Sequence, residues 1–514
     1  VKRWLYLVHR WLGIGLCVVM AAWFLSGIVM LYVGYPKLTP DERLQGLPPL
    51  PAAGCCVPLD QALRAAGLAP SDKSAGKAPG AAATWRLSSV AGQPRYLFTD
   101  GPKVAVAVNA LSGTRIASVA AEDALAAARH FAGGVSGVHL GAVQEDAWTH
   151  SRALDVHRPL HRIGVDDPEG RWLYVSSRTG EVVRDATLTE RTWGWLGAWL
   201  HWLYMFRGGA VDAWWHDIVV WLAVAGTVSA VTGLVVGVWR WRFRGTYKGG
   251  THTPYRTFMA RWHHVLGMVG GLLALTWVLS GLLSVNPWKV FDAPGPKPDR
   301  QAFAGGPLLP GQAMPAATAL QRLQAQGHAA RELEWRRIGG VHHVQAAGAG
   351  GPWLLGERDL LADGVPTDQW LPAAAAMLPR ARIVEQTLVT RYDSYYYGRE
   401  PHTMTGQRER PLPVWRLRFD DPNETWVTVD PRTGSIVHVT DGHRRVDRWL
   451  FAFLHSFDLP VLLQSRPVWD AWMIGFSLAG LGLSLTAVVT GWRRLARPRR
   501  RPAAAEPRTS MALH

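Results

Sequence analysis

Cysteine is scarce in this 514-residue chain, with three residues: Cys17, Cys55 and Cys56. Cys17 stands inside a long apolar run, and the adjacent Cys55 and Cys56 are poorly placed to bridge each other, so no disulfide framework is implied. Charged residues are also few, at 18%, while Trp is abundant, at 27. That balance excludes a disordered chain, which would be polar and poor in aromatics. No H-E-x-x-H occurs, which leaves a zinc hydrolase without its ligand pattern, and no G-x-G-x-x-G follows a strand, which leaves a nicotinamide or flavin site unsupported. The net charge is 55 − 39 = +16. It does not point to nucleic acid, because the arginines flank apolar runs instead of covering a polar domain.

Four stretches of twenty-two residues or more hold no Asp, Glu, Lys or Arg: Trp11–Pro36, Ile218–Trp239, His263–Trp288 and Ala471–Trp492. Each is long enough to cross ~30 Å of hydrocarbon as a helix at ~1.5 Å per residue. The first is too long for the core of a signal peptide and is followed by no small-x-small cleavage site before Tyr32 and Tyr35, so it reads as an uncleaved helix. Lys2, Arg3 and Arg10 surround the start of the first helix. Six basic residues between Arg240 and Arg261 separate the second and third with no acid among them, and Arg493, Arg494, Arg497, Arg499, Arg500 and Arg501 follow the fourth. The positive-inside rule puts all three segments in the cytoplasm. The expected topology is therefore N-in and C-in in a bacterial inner membrane, with two large periplasmic loops and membrane lipid as the immediate partner.

The two halves of the chain resemble each other at one offset, 263 − 9 = 254. His9, Leu12, Gly13, Trp23, Leu25, Ser26 and Gly27 fall on His263, Leu266, Gly267, Trp277, Leu279, Ser280 and Gly281. Trp195, Leu200, His201, Trp215 and Thr232 fall on Trp449, Leu454, His455, Trp469 and Thr486, and Asp166-Asp167-Pro168 falls on Asp420-Asp421-Pro422. One offset held over three separate regions implies a parallel duplication of helix, outside domain and helix. The expected fold class is a membrane α-helical bundle of four transmembrane helices carrying two extracytoplasmic α+β domains. Its segments are a first helix over 1–36, a first periplasmic domain over 37–190, and an interfacial segment with the second helix over 191–242. A cytoplasmic loop over 243–258 and a third helix over 259–288 follow. A second periplasmic domain over 289–445, an interfacial segment with the fourth helix over 446–495, and a basic cytoplasmic tail over 496–514 complete the chain.

Within the outside domains, "VPLDQALRAAG" from Val57 and "AATALQRLQAQG" from Ala316 have the spacing of short amphipathic helices. Residues 158–183 and 412–437 each alternate apolar and polar positions around Asp-Pro and Thr-Gly turns, which predicts antiparallel strands. The Ala/Gly/Pro-rich pieces at 67–83 and 293–313 read as linkers, and the tail after Arg501 as disordered.

The strand–"DP"–strand–"TG" pattern resembles the PepSY domain, and "HRWLG" at His9 and "HHVLG" at His263 resemble the start of PepSY-associated transmembrane proteins. "EDAWTH" (145–150), "RPLHR" (158–162), "GAWLHWLY" (197–204) and "YDSYYYGRE" (392–400) are similar to the same family. Some of its members resemble inner-membrane reductases of ferric siderophores that carry b-type haem, so the resemblance implies haem, iron uptake and oxidoreductase chemistry. PepSY alone suggests a non-catalytic module that regulates a periplasmic peptidase, and a transporter-associated subunit is a third reading.

Histidines at membrane depth are functional candidates. His9 and His263 hold equivalent places near the inner ends of the first and third helices. His201 and His455 do so on uncharged segments before the second and fourth, where 192–206 would dip into the outer interface as a short helix. Two imidazoles facing each other across an axis can ligate a haem iron from both sides, so the four matched histidines give two haem b sites. No C-x-x-C-H occurs, so attachment would be non-covalent. Gly13 and Gly267, one turn on, either admit a flat cofactor or let helices pack closely. His216 and His264 have no histidine counterpart and stand in reserve. Outside, His130, His139, His150, His157 and His161, with Trp148, Asp146, Arg158 and Arg162, and the run Tyr392, Tyr395, Tyr396 and Tyr397, are candidates to shape a site for a ferric siderophore or another iron complex. Electrons would come from a cytoplasmic-side donor. Counted along the helices, the gap between the two sites is short enough for electron transfer only if the segments at 192–206 and 446–460 dip inwards.

Overall fold

Uncharged runs of this length must satisfy every backbone polar group internally, and they do so as four helices long and apolar enough to cross a membrane: Lys2–Met30, Trp215–Arg240, Phe258–Ser284 and Arg466–Leu495. This is a membrane protein. The helices begin earlier than the charge-free runs and take in charged residues at their ends, among them Lys2, Arg10, Asp217, Arg261 and Asp470. The computed structural model describes residues 2–68, 83–100, 104–404, 406 and 408–496. Most of the expected 67–83 linker and the tail after Arg501 lie outside these residues.

The chain divides into two compact units, one of Val1–Phe24, Trp221–Leu279 and Ile474–His514, the other of Leu25–Val220 and Ser280–Met473. In the first unit, helices approach where side chains are missing. Phe24 rests 5.8 Å from Trp277, ring centre to ring centre, and fills the space that a Cβ on Gly480 would need. Small residues at helix interfaces allow this close approach.

The second unit is built on three antiparallel sheets. Strands β1 (Ala83–Val90), β2 (Gln93–Asp100), β3 (Val104–Asn109) and β4 (Arg115–Ile116) come from the first interhelical segment. β5 (Gly137–Val143), β6 (Leu160–Val165), β7 (Trp172–Ser176) and β8 (Val182–Ala186) follow as a separate four-stranded sheet. The later segment supplies β9 (Ala330–Ile338), β10 (Val341–Gly348) and β11 (Gly351–Leu355), then β12 (Ile383–Val389), β13 (Val414–Phe419), β14 (Trp426–Asp430) and β15 (Ser435–Thr440). The last four form the second four-stranded sheet. The expected strand pairs at 158–183 and 412–437 are present, and so are the helices, at Leu59–Ala66 and Ala316–Ala325.

The two interhelical segments each keep a four-stranded sheet of their own and share a third. β1 pairs with β9, Leu87 opposite Leu333, so that β11-β10-β9-β1-β2-β3-β4 is one seven-stranded sheet. Its core joins Leu87, Phe98 and Tyr96 to Leu333, Val344 and Leu320. Arg86 on β1 reaches Glu332 on β9 at 2.9 Å and Glu181 at 3.0 Å, and Arg43 grips the same Glu332 through two bonds of 2.7 and 2.8 Å. The adjacent Cys55 and Cys56 place their sulfur atoms side by side, with their Cα atoms 3.1 Å apart.

Candidate functional site

The second residue of "VHRWLG", two turns into the first helix, is His9. Its ring centre lies 6.3 Å from that of His263, with the planes inclined by 31°. His9 Nδ1 is 3.0 Å from the carbonyl oxygen of Ser229, and His263 Nδ1 is 3.2 Å from that of Leu483. A carbonyl only accepts, so each Nδ1 carries the proton, and each Nε2 is the nitrogen with a lone pair to offer. Ser229 and Leu483 differ by 254, so one device serves both histidines. Thr486 Oγ1 stands a further 3.4 Å from His263 Nδ1.

The other two histidines sit on segments of uncommon backbone. A capping box between Thr187 and Glu190 starts the helix Leu188–Gly194, which widens into a π-helix at Trp195–Trp199 before His201. Asp441 caps Gly442–Asp447, a π-helix follows at Arg448–Phe453, and His455 comes next. The uncharged segment is thus helical, as expected, and it dips to the level of Ser26, four residues before the end of its helix. His201 Nδ1 lies 2.9 Å from Ser26 Oγ, and His455 Nδ1 lies 3.0 Å from Ser280 Oγ. Both serines are fully buried. The rings of His201 and His455 are 6.1 Å apart and inclined by 73°.

These distances suit an iron ligated from both sides. With about 2 Å from each nitrogen to the metal and the ring centre roughly 1.2 Å behind it, two coaxial imidazoles have centres about 6.4 Å apart. Partners on the second ring nitrogen are what metal-ligating histidines ordinarily have, because they fix tautomer and orientation. Glycines leave room beside the rings. A Cβ on Gly13 or Gly267 would meet nothing nearer than 4.0 and 3.7 Å respectively, so close helix packing does not require glycine there. A Cβ on Gly27 or Gly281 would sit 3.9 and 3.8 Å from the Cε1 atoms of His201 and His455. The residues present fit a b-type haem at each pair.

The reserve histidines have other tasks. His264 is buried with Nδ1 2.7 Å from Thr253 Oγ1 and Nε2 2.9 Å from the Gly237 carbonyl, so neither nitrogen is left for a metal, and His216 is exposed. The five histidines of 130–161 do not converge. His139 Nε2 meets His161 Nδ1 at 3.1 Å, His150 pairs with Glu145 at 2.5 Å, His157 with Ser176 at 3.1 Å, and His130 with its own helix. Among the described residues no three His, Cys, Asp or Glu side chains gather to hold a metal ion. Asp146 serves the turn before buried Trp148 and accepts from Tyr174 at 2.8 Å, with Arg162 at 3.4 Å, and Arg158 pairs with Asp155 at 2.9 Å. Tyr396 is buried and bonds to the Pro411 carbonyl, Tyr392 bonds to that of Arg410, Tyr397 bonds to Asp458, and Tyr395 receives the Trp449 indole N–H. These side chains hold the fold at their own places.

The sequence pattern that defines the PepSY-associated TM region matches residues 6–378. The chain belongs to that family. The match begins three residues before His9 and takes in His201 and His263. No curated protein matches the chain.

Proposed function

We propose that this PepSY-associated membrane protein is a di-haem electron-transfer protein of the bacterial inner membrane that reduces a ferric siderophore or a similar ferric complex in the periplasm. The observation that carries this reading is the pair of histidine pairs, 6.3 and 6.1 Å between ring centres, each imidazole already tethered through Nδ1. Haem iron, when bound, supplies one-electron transfer. The chain's own part is to hold and orient four imidazoles, to keep their Nδ1 protons on carbonyl or serine oxygens, and to surround them with apolar helices that exclude water. Reduction of Fe(III) to Fe(II) weakens hard-oxygen chelation, which frees the metal from its carrier.

The same reading takes the chain as a parallel duplication. Beyond the sequence matches, Leu160–Val165 and Val414–Phe419 begin and end 254 residues apart, as do Trp172–Ser176 and Trp426–Asp430. The arginine distribution supports N-in and C-in, with both sheet-bearing segments periplasmic and a donor at the cytoplasmic face. The decisive experiment is the absorption spectrum of protein purified from haem-replete cells. A Soret band that shifts and sharpens on dithionite reduction, with about two haems per chain, is the expected result, and a colourless preparation would refute the proposal.

A further inference from the structure

Two residues after each histidine of the second pair, the backbone turns into the left-handed region without glycine: Leu203 at φ 54° and Phe457 at φ 45°. Large side chains rarely take that conformation, and it persists only where surrounding contacts enforce it. The enforcing contact is visible in both places. The indole N–H of Trp215 donates to the carbonyl of Trp202 at 2.8 Å, and that of Trp469 donates to the carbonyl of Ser456 at 2.8 Å. Each acceptor is the residue directly after the histidine. The two donors, the two acceptors and the two left-handed residues all differ by 254. A guanidinium covers each indole face, Arg207 at 4.8 Å and Arg466 at 5.0 Å from the ring centre, although these arginines do not correspond in sequence. Unmatched arginines and matched indole bonds indicate that the N–H contact is the constant feature and the covering cation is not.

We infer that Trp215 and Trp469 are positioning residues for His201 and His455. Each indole closes the reversal that follows its histidine, so the π-helix before and the left-handed turn after fix the segment at both ends. The serine tether sets the direction of the ring; the tryptophan sets the position of the backbone that carries it. The consequence for an iron ligand rests on the haem reading above, whereas the pinning of the segment does not.

The test uses the full chain with Trp215→Phe and Trp469→Phe, which keep an aromatic ring and remove the N–H, and Trp214→Phe as a control at an exposed neighbour. Amide hydrogen exchange of residues 200–206 and 454–459 in haem-free protein should quicken roughly five- to tenfold in the matching variant, the effect of one lost hydrogen bond. In haem-loaded protein the spectral component that disappears in His201→Ala should shift its midpoint potential or lose low-spin character, while the other component keeps both. Exchange at the control rate in both variants would overturn the inference. So would faster exchange with that component unchanged, since the tryptophans would then support the loop without positioning the ligand. A wild-type protein without haem would defeat the haem reading, and the exchange rates would still decide the pinning.

Discussion

A Cβ built on Gly233 would stand 2.6 Å from Cε1 of His9. No real contact is that short, so an alanine there must push the imidazole aside. The residue 254 positions on is Ala487, inside the fourth helix, so a helix accepts alanine at that place. Gly233→Ala should therefore leave folding intact, or raise stability by about 0.5–1 kcal/mol through helix propensity, while reducing haem retention at the His9–His263 pair. Thermal unfolding and haem content together check this; unchanged haem content would mean that the ring adapts in place.

The two pairs should fail independently. Each histidine's tether lies with its own pair: Ser229 and Leu483 carbonyls for one, Ser26 and Ser280 hydroxyls for the other. His9→Ala and His201→Ala should each remove about one haem, or convert it from six- to five-coordinate, and spare the second. Haem per polypeptide and low-temperature electron paramagnetic resonance would report it. Unchanged content and spectra in both variants would refute these ligands, even if the protein held haem by others.

The buried ion network joining the two interhelical segments makes an acid-sensitive seam. Burial alone would raise the Glu332 carboxyl, but Arg86 and Arg43 outweigh it and hold it at about 2. An unfolded Glu titrates near ~4.3. The folded value is the lower one, so the stabilisation is complete above about pH 4.3 and fades as pH falls towards about 2. Glu332→Gln should lower the melting temperature at pH 7, with a cost on the order of 3–5 kcal/mol for breaking a buried ion network, since Arg43 loses its carboxylate and Arg86 keeps only Glu181. It should also flatten the loss of stability between about pH 4.3 and 2. A melting curve from pH 7 to pH 3 that parallels wild type would argue against the seam.

What could be read from the sequence follows from how local each signal is. Uncharged runs and Asp-Pro or Thr-Gly turns act over a few residues, so the four long helices and strands such as Leu160–Val165 were legible. So were the four histidines, because identical spacing marks them in both halves. Ser26 and Ser280 stood in the same matched blocks, yet nothing local says that a serine faces an imidazole 175 residues away. The carbonyls of Ser229 and Leu483 leave no side-chain signature at all. The pairing of β1 with β9 joins Trp85 to Trp335 across about half of the chain, and alternation of apolar residues does not specify which edge a strand will meet. Left-handed Leu203 and Phe457 run against residue preference, and the indole bonds from Trp215 and Trp469 beside them join residues 13 apart in sequence that no local pattern links.

One buried carboxylate works against the fold at neutral pH. Asp185, on β8, is 6% exposed, and its Oδ1 has no hydrogen-bond partner among the described residues. Burial pushes its carboxyl up to about 7, helped by Glu190 and Glu42 and opposed by Arg171. The folded value lies above the unfolded one of ~3.9. Stability from this group is therefore fully present below about pH 3.9 and is lost as pH rises through about 7. Asp185→Asn keeps the shape and removes the charge. It should raise stability at pH 8 by about 1–3 kcal/mol, with the gain shrinking steadily below pH 7 and vanishing near pH 4. Thermal unfolding of both proteins at pH 4, 6 and 8 measures it, and a gain independent of pH would show that the amide acts by a new hydrogen bond and not by relieving a buried charge.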